Sequence, residues 1–421
     1  MRRKEPPVLS LILALYLVPQ EPWVPEIPRG EDPIPDIDIS ESPTGIVPLP
    51  KGIDSRIHKW FDRYTKIEAP NGKPIHILAQ EGWREDQIIR ARKVLEHILT
   101  DVPGSRFGED KSEVANNMAK RRATLVLFNT ARDLERAFRG SFGEVELGCQ
   151  DLRANECPVE GDDDYMAHRT RDAAFEEILH LVHDYGIRPA FPEYDEEVHQ
   201  ANVAATEKNL WRGWPDDEPE NHRNEYLAAI YDNYLDLWTV KPTVYEGERI
   251  PEDDIPEGCS HFGRFRGDSR KALKNIDPTG YELLEDFFTP YLLYTPELPP
   301  DFSGTFSIRF DSQLRYTAKS QHLKNVTLTG DEDAAIIGNS LDNRLTGNEG
   351  DNDLEGGAGD DELIGGTGKD TAIYSGAADE YTIEINGNEV TVTDGTADRD
   401  GTDNLTGIEF VRFKDRTVEL K

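Results

Sequence analysis

The chain has 421 residues, with 82 Asp and Glu against 47 Lys and Arg and a formal net charge of −35. That length exceeds what one hydrophobic core serves, so two or three domains are expected. The charge would repel nucleic acid and anionic lipid surfaces, and it suits high solubility or the capture of hard cations such as calcium. Residues 331–421 hold 23 of the acids against 7 Lys and Arg, which concentrates the charge in the C-terminal quarter.

At the N-terminus, MRRKEPP precedes the apolar run VLSLILALYLV. A basic stretch before an apolar one is the pattern of a signal peptide, but no small-residue cleavage signal follows, so an incidental apolar run stays open. The run is too short to span a bilayer as a helix, which takes ~20 apolar residues, and no other segment could cross one. From Pro19 to about Gly52 the chain is rich in Pro and acid, which reads as an extended linker or tail and makes 1–52 a first unit.

A globular pattern begins near Ile53. KPIHILA and ATLVLFN read as short strands, and DQIIRARKVLEHILTDV has apolar residues at helical spacing. Further helices are expected at RDAAFEEILHLVHDY, NEYLAAIYDNYLDLW and YELLEDFFTPYLL, so 53–300 is an α+β domain. After the PELPPDF break, FSIRFDSQLRYTAKS and HLKNVTLTG turn strand-like, and 301–328 reads as a connecting β segment. Of three cysteines, Cys149 and Cys157 are close enough to staple a small loop by a disulfide, with Cys259 spare.

From Gly338 the sequence falls into nines: GNSLDNRLT, GNEGDNDLE, GGAGDDELI and GGTGKDTAI. Glycine opens each row, Asn343, Asn352, Asp361 and Asp370 stand sixth, and Leu345, Leu354, Leu363 and Ala372 stand eighth. A degenerate row, TGDEDAAII, extends the period upstream. This is the nonapeptide pattern of calcium-binding coils. Gly356, Gly357, Gly359, Gly365, Gly366 and Gly368 permit turns in which carbonyls converge, the sixth residue adds a hard oxygen, and the eighth points inward. Two rows make one turn of the coil, so Asn343 lies over Asp361 and Asn352 over Asp370, each pair a candidate calcium clamp. Asn in two of the four sixth positions lowers the ligand charge, and dissociation constants of roughly 10⁻⁴ to 10⁻³ M are expected.

This region, 329–421, resembles the RTX family of hemolysin-type calcium-binding repeats in secreted bacterial proteins. The resemblance implies a C-terminal parallel β-roll, several calcium ions, export by type I secretion machinery and folding outside the cell. The tail, YSGAADEYTIEI and then DGTDNLTGIEFVRFKDRTVEL, looks like the segment that caps such rolls and carries the secretion signal.

The stretch FEEILHLVHDYG, residues 175–186, sets four polar groups into an apolar helix. On a helical wheel His180 falls ~40° and His183 ~20° from Glu176, with Glu177 ~100° away. Buried acids and imidazoles need partners. A divalent metal is one answer, using Glu176 and His180 at i and i+4; Arg or Lys from another helix with waters is the other. Glu225, on a later apolar helix, also calls for a buried cation, and EEILH has the spacing of HExxH. His168 and His199 read as solvated or supporting residues.

On these residues, 53–300 resembles the gluzincin-type zinc metallopeptidases, in particular the lethal-factor-like group. By position, the resemblance makes His180 a zinc ligand, Glu177 the general base toward the attacking water and Glu225 the third ligand, with a protein or peptide as substrate. Two positions depart from the family. Glu176 stands where the family has its first His, and Glu218 stands where related enzymes have a Tyr that stabilises the oxyanion. Another Tyr or His222 could replace that donor, and His183 could join His180 as a ligand. The expected whole is a secreted, multidomain protein with a metallopeptidase-like α+β domain followed by the β-roll. The alternatives are an inactive binding domain or an extracellular structural or adhesive protein on the same roll.

Overall fold

The computed structural model describes residues 24–214, 222–245, 247–251, 254–387 and 389–420. The apolar run at residues 8–18 and Glu218 lie outside the described residues.

The described residues up to 300 are built around a five-stranded sheet in the order Val47–Pro48, Arg63–Glu68, Pro74–Ala79, Ala123–Phe128, Gly148–Arg153. The first three strands pair antiparallel and the last three parallel. Pleating sends alternate side chains to opposite faces. Ile75, Ile77, Leu125 and Leu127 therefore face the main core, while Leu78, Val126 and Phe128 face a second apolar cluster. The helices Glu85–Ile98, Ser112–Lys120 and Ala174–Val182 contribute Val94, Leu95, Met118 and Leu179 to that main core.

The second cluster explains the Pro-rich N-terminal stretch. From residue 24 onward it is no free linker: Ile34, Ile37, Leu49 and Ile53 are buried with Tyr64 and Phe128. The same two faces correct the cysteine expectation. Cys149 packs toward the second cluster and Cys157 lies in the main core beside Arg90, so the intervening chain carries them apart. All three thiols are free, and burial pushes those of Cys149 and Cys157 up to about 12.

Helix Ala174–Val182 continues through a π-helical turn, His183–Ile187, before Pro192–Glu207. Gly186 is required in that turn, because a Cβ there would lie 2.7 Å from Val114 Cγ1. The helix Pro192–Glu207 was not legible in sequence, since its buried apolar positions are only Tyr194, Val198, Ala201 and Ala205 among many acids. The helix His222–Tyr234 is buried on nearly all sides and packs against both.

The C-terminal unit is a coil of two sheets. One aligns Gly304–Ser307, Ala334–Ile337, Asp353–Glu355, Thr371–Ile373 and Phe410–Arg412 in parallel, with Thr417–Glu419 antiparallel at its end. The other aligns Asn325–Thr327, Arg344–Thr346, Glu362–Ile364 and Thr402–Thr406 in parallel, followed by the hairpin Glu389–Asp394 and Tyr381–Asn386. The segment read as a connector thus supplies the first strand of each sheet, together with the short helix Thr317–Ser320. Ile336, Leu354, Ala372 and Val411 stack in one column and Val326, Leu345, Leu363 and Leu405 in the other. All eight are buried, and each large side chain contributes about 1.5–3 kcal/mol. Tyr165 joins the two units, packing against Phe306 and Tyr316 with the Lys319 ammonium 3.8 Å over its ring.

Candidate metal centre

The first turn of Ala174–Val182 presents Glu176 and Glu177 at the positive end of the helix, and His180 follows one turn later. Across the cleft, His222–Tyr234 presents Glu225 from its own first turn. One ligand atom each from Glu176, His180 and Glu225 lies within 4.8 Å of the other two. His180 Nε2 is 3.8 Å from Glu225 Oε1, is buried, and makes no hydrogen bond. A buried nitrogen without a partner, facing two carboxylates, fits a divalent cation with mixed nitrogen and oxygen ligands. The cleft holding these groups measures ≈ 370 Å³.

Glu177 reaches the same cleft. Its Oε2 accepts from Gln150 Nε2 at 2.7 Å and lies 3.8 Å from His180 Nδ1. Burial lifts its carboxyl to about 7; His180 and Arg171 oppose the rise, and Asp151 and Glu156 reinforce it. A carboxyl so placed is suited to take and return a proton near neutral pH.

His183 stands apart from this group. Its Nδ1 lies 3.0 Å from Asn224 Oδ1 and its Nε2 3.0 Å from Asp195 Oδ1. Asp195 also takes the guanidinium of Arg188 at 3.2 Å and of Arg223 at 2.7 Å. Burial would raise the Asp195 carboxyl, but the His183 bond and the two guanidiniums hold it well below the usual range. The i,i+3 spacing from His180 suggested a second imidazole ligand; the π-helical turn that begins at His183 goes with a ring bound to Asn224 and Asp195 instead.

Several cleft residues carried no signal in the sequence. Arg171, just before the helix, forms a buried ion pair with Glu176. Behind Glu176 stands His261, whose Nε2 is 3.5 Å from Glu176 Oε2 and 3.3 Å from Asp232 Oδ2. Glu176, Asp232 and His261 form a second close-set group, fully buried. His261 and Phe262 both hold positive φ, 48° and 52°, a conformation that costs about 1–3 kcal/mol for such residues and clusters at functional sites. Trp214 Nε1 donates to Glu225 Oε2 at 2.9 Å and fixes that carboxylate. Tyr245, from the short hairpin after the long helices, also lines the cleft.

In the coil, Asn343 N donates to Asp361 Oδ1 at 2.8 Å, and Asn352 N donates to Asp370 Oδ1 at 2.8 Å. The sixth residues therefore stack eighteen apart. Gly359 has φ 120°, which only glycine adopts freely, and a Cβ on Gly356 would lie 2.1 Å from Asp361 Oδ2. Gly365 crowds Asp370 in the same way, with positive φ at Gly357, Gly366 and Gly368. Asp361 Oδ2 and Asp370 Oδ2 are buried without a hydrogen bond, the state in which a cation is the natural partner.

Residues 337–372 match the RTX calcium-binding nonapeptide repeat, in four copies. Among solved structures, the extracellular lipase LipA from Serratia marcescens aligns with 21% identity and a TM-score of 0.20, over 23% of this chain and 16% of the lipase. The chain thus spans a small part of that protein's length. No curated protein matches the chain. No described helix is long and apolar enough to cross a membrane. The chain carries RTX calcium-binding repeats in a C-terminal coil of parallel strands, set on an α/β unit that holds a separate acid and histidine cleft.

Proposed function

We propose that the chain is a secreted calcium-binding protein whose N-terminal unit is a metal-dependent peptide hydrolase. The observation that carries the enzyme reading is His180 Nε2, buried and unbonded, facing Glu225 beside a Glu177 carboxyl raised to about 7. His180, Glu225 and Glu176 would hold the ion, for which zinc is the first choice given one imidazole and two carboxylates. A bound zinc ion would supply Lewis-acid activation of the attacking water and the scissile carbonyl. Glu177 takes the proton from that water and returns it to the leaving amine, while Gln150 fixes the orientation of its carboxylate. Trp214 holds Glu225 in place. Tyr245 is the cleft's hydroxyl donor for a developing oxyanion, in the role the motif's own position lacks. The substrate is a protein or peptide segment entering the open cleft.

The repeats supply the calcium sites and point to export by type I secretion machinery, with the coil completing its fold where calcium is plentiful. A second reading rests on Arg171: a Glu176 carboxylate already paired with a guanidinium needs no cation, which favours a peptidase-like domain that binds without cutting.

The test is zinc content and turnover in protein purified with calcium. One zinc per chain and cleavage of unfolded proteins that falls by about 10²–10⁴ in Glu177→Gln support the hydrolase. Zinc without any Glu177-dependent cleavage across a broad peptide library supports the binding domain and removes the enzyme.

A further inference from the structure

Beyond the four matched rows, the coil continues through two rows that the nine-residue spelling conceals. After Ile373 the chain leaves as the hairpin at 381–394 and returns at residue 398. Residues 398–406, DRDGTDNLT, then place Gly401 fourth, Asp403 sixth and Leu405 eighth, the positions of Gly359, Asp361 and Leu363 in the row above. The register agrees at every point. Leu363 pairs with Leu405 in parallel, a Cβ on Gly401 would lie 1.8 Å from Gly359 O, and Thr402 N donates to Asp360 Oδ1 at 2.9 Å. Asp361 N donates to Asp403 Oδ1 at 3.0 Å, repeating the bond from Asn343 N to Asp361. The next row, from Gly407, is shortened: Gly365 N donates to Thr406 O, Ala372 pairs with Val411, and Asp370 N donates to Glu409 Oε2 at 2.8 Å.

The sixth-place pairs therefore differ in charge down the coil. Asn343 over Asp361 and Asn352 over Asp370 each join an amide to an acid, and the amides are already satisfied. Asn343 Oδ1 accepts from Asn339 N at 2.9 Å and Asn352 Oδ1 from Asn348 N at 2.7 Å, and both side-chain amide nitrogens reach backbone oxygens. Below them, Asp361 over Asp403 and Asp370 over Glu409 join acid to acid. Asp361 and Asp403 are each 1% exposed, and Asp361 Oδ2 and Asp370 Oδ2 have no hydrogen bond. Arg309 acts on Asp361 but is engaged by Glu355, and the Tyr374 hydroxyl faces Asp403 without adding positive charge. Two stacked carboxylates in a buried turn repel each other unless a cation lies between them.

We propose that the strongest calcium sites of this coil lie between its last two regular rows and the two concealed ones, held by Asp361 with Asp403 and by Asp370 with Glu409. The asparagine rows above are held by amide hydrogen bonds and take calcium weakly. The inference rests on the calcium reading of the repeats and adds Asp403 and Glu409 to it.

Calorimetric titration of calcium into the calcium-stripped full chain tests this. Asp403→Asn keeps an acceptor for Asp361 N while removing charge, and Glu409→Gln does the same for Asp370. Each is expected to weaken or remove one of the two tightest sites by about tenfold or more, whereas Glu384→Gln, which removes an exposed acid of the 381–394 hairpin, leaves both tight sites in place. Unchanged tight binding in both acid variants, with the wild type binding calcium, overturns the placement and leaves the calcium reading standing. A wild type that binds no calcium overturns both.

Discussion

The guanidinium of Arg171 is paired with the carboxylate of Glu176 inside the cleft, at the position where the helix motif calls for a metal-ligating imidazole. Arg171 and a metal therefore compete for the same carboxylate. Breaking a buried pair from one side leaves an uncompensated charge and costs about 3–5 kcal/mol. Arg171→Gln is accordingly expected to lower the urea midpoint of the metal-free protein, and added zinc is expected to restore part of the loss. Equal destabilisation with and without zinc would mean that Glu176 is not a ligand.

The two histidines of the site helix should separate cleanly. His180→Ala removes the nitrogen that faces Glu225 and is expected to abolish stoichiometric zinc while leaving the fold largely intact. His183→Ala instead strips a buried partner from Asp195 and Asn224, and a loss of about 2–4 kcal/mol with zinc content retained is expected. Metal analysis beside chemical denaturation reads both. Loss of zinc in His183→Ala at full stability would contradict the assignment.

Lys111 offers a pH test remote from either metal region. Its ammonium is buried against Phe287 and Phe288, donates to Ile98 O at 2.9 Å, and burial lowers its pKa to about 7. In the unfolded chain the value is ~10.4, so between these limits the unfolded state holds the extra proton and stability rises with pH. The gain is lost as pH falls toward 7. Lys111→Met is expected to stabilise the protein at pH 6 by about 1–3 kcal/mol and to flatten the rise between pH 7 and 10. A variant with the wild-type pH slope would contradict it.

What the sequence could reveal follows from the range of each signal. The nonapeptide period is local, so Leu345, Leu354 and Leu363 and the stacking of Asn343 on Asp361 could be read directly. Glu176 and His180 are one turn apart on one helix, and Glu225 stood out as an acid on an apolar helix. Arg171, Asp232, His261 and Tyr245 could not be read, because their meeting is fixed by packing between segments up to 90 residues apart and they share no period with the motif. Asp403 was hidden differently: the hairpin at 381–394 turns an eighteen-residue offset into one of 42. The Pro-rich stretch misled because composition reports its extended backbone, not the apolar face of the sheet that Ile34 and Leu49 cover.

The coil itself should respond to pH in the sense opposite to Lys111 when calcium is withheld. Burial, with Asp342 and Asp360 nearby, lifts the Asp361 carboxyl to about 7; burial and Asp361 lift that of Asp403 to about 8. In the unfolded chain both sit near ~3.9, so from there upward the folded coil holds protons that the unfolded chain has released. This contribution to stability is complete below pH ~4 and is lost as pH rises through 7 to 8. Calcium reverses the balance by favouring the ionised acids. Hydrogen exchange at the Leu363 and Leu405 amides in a chelator is therefore expected to be slower at pH 5 than at pH 8.5, after correction for intrinsic rates. Calcium should restore protection chiefly at the higher pH. Equal protection at both pH values in chelator would mean that the stacked acids are not what makes the coil depend on calcium.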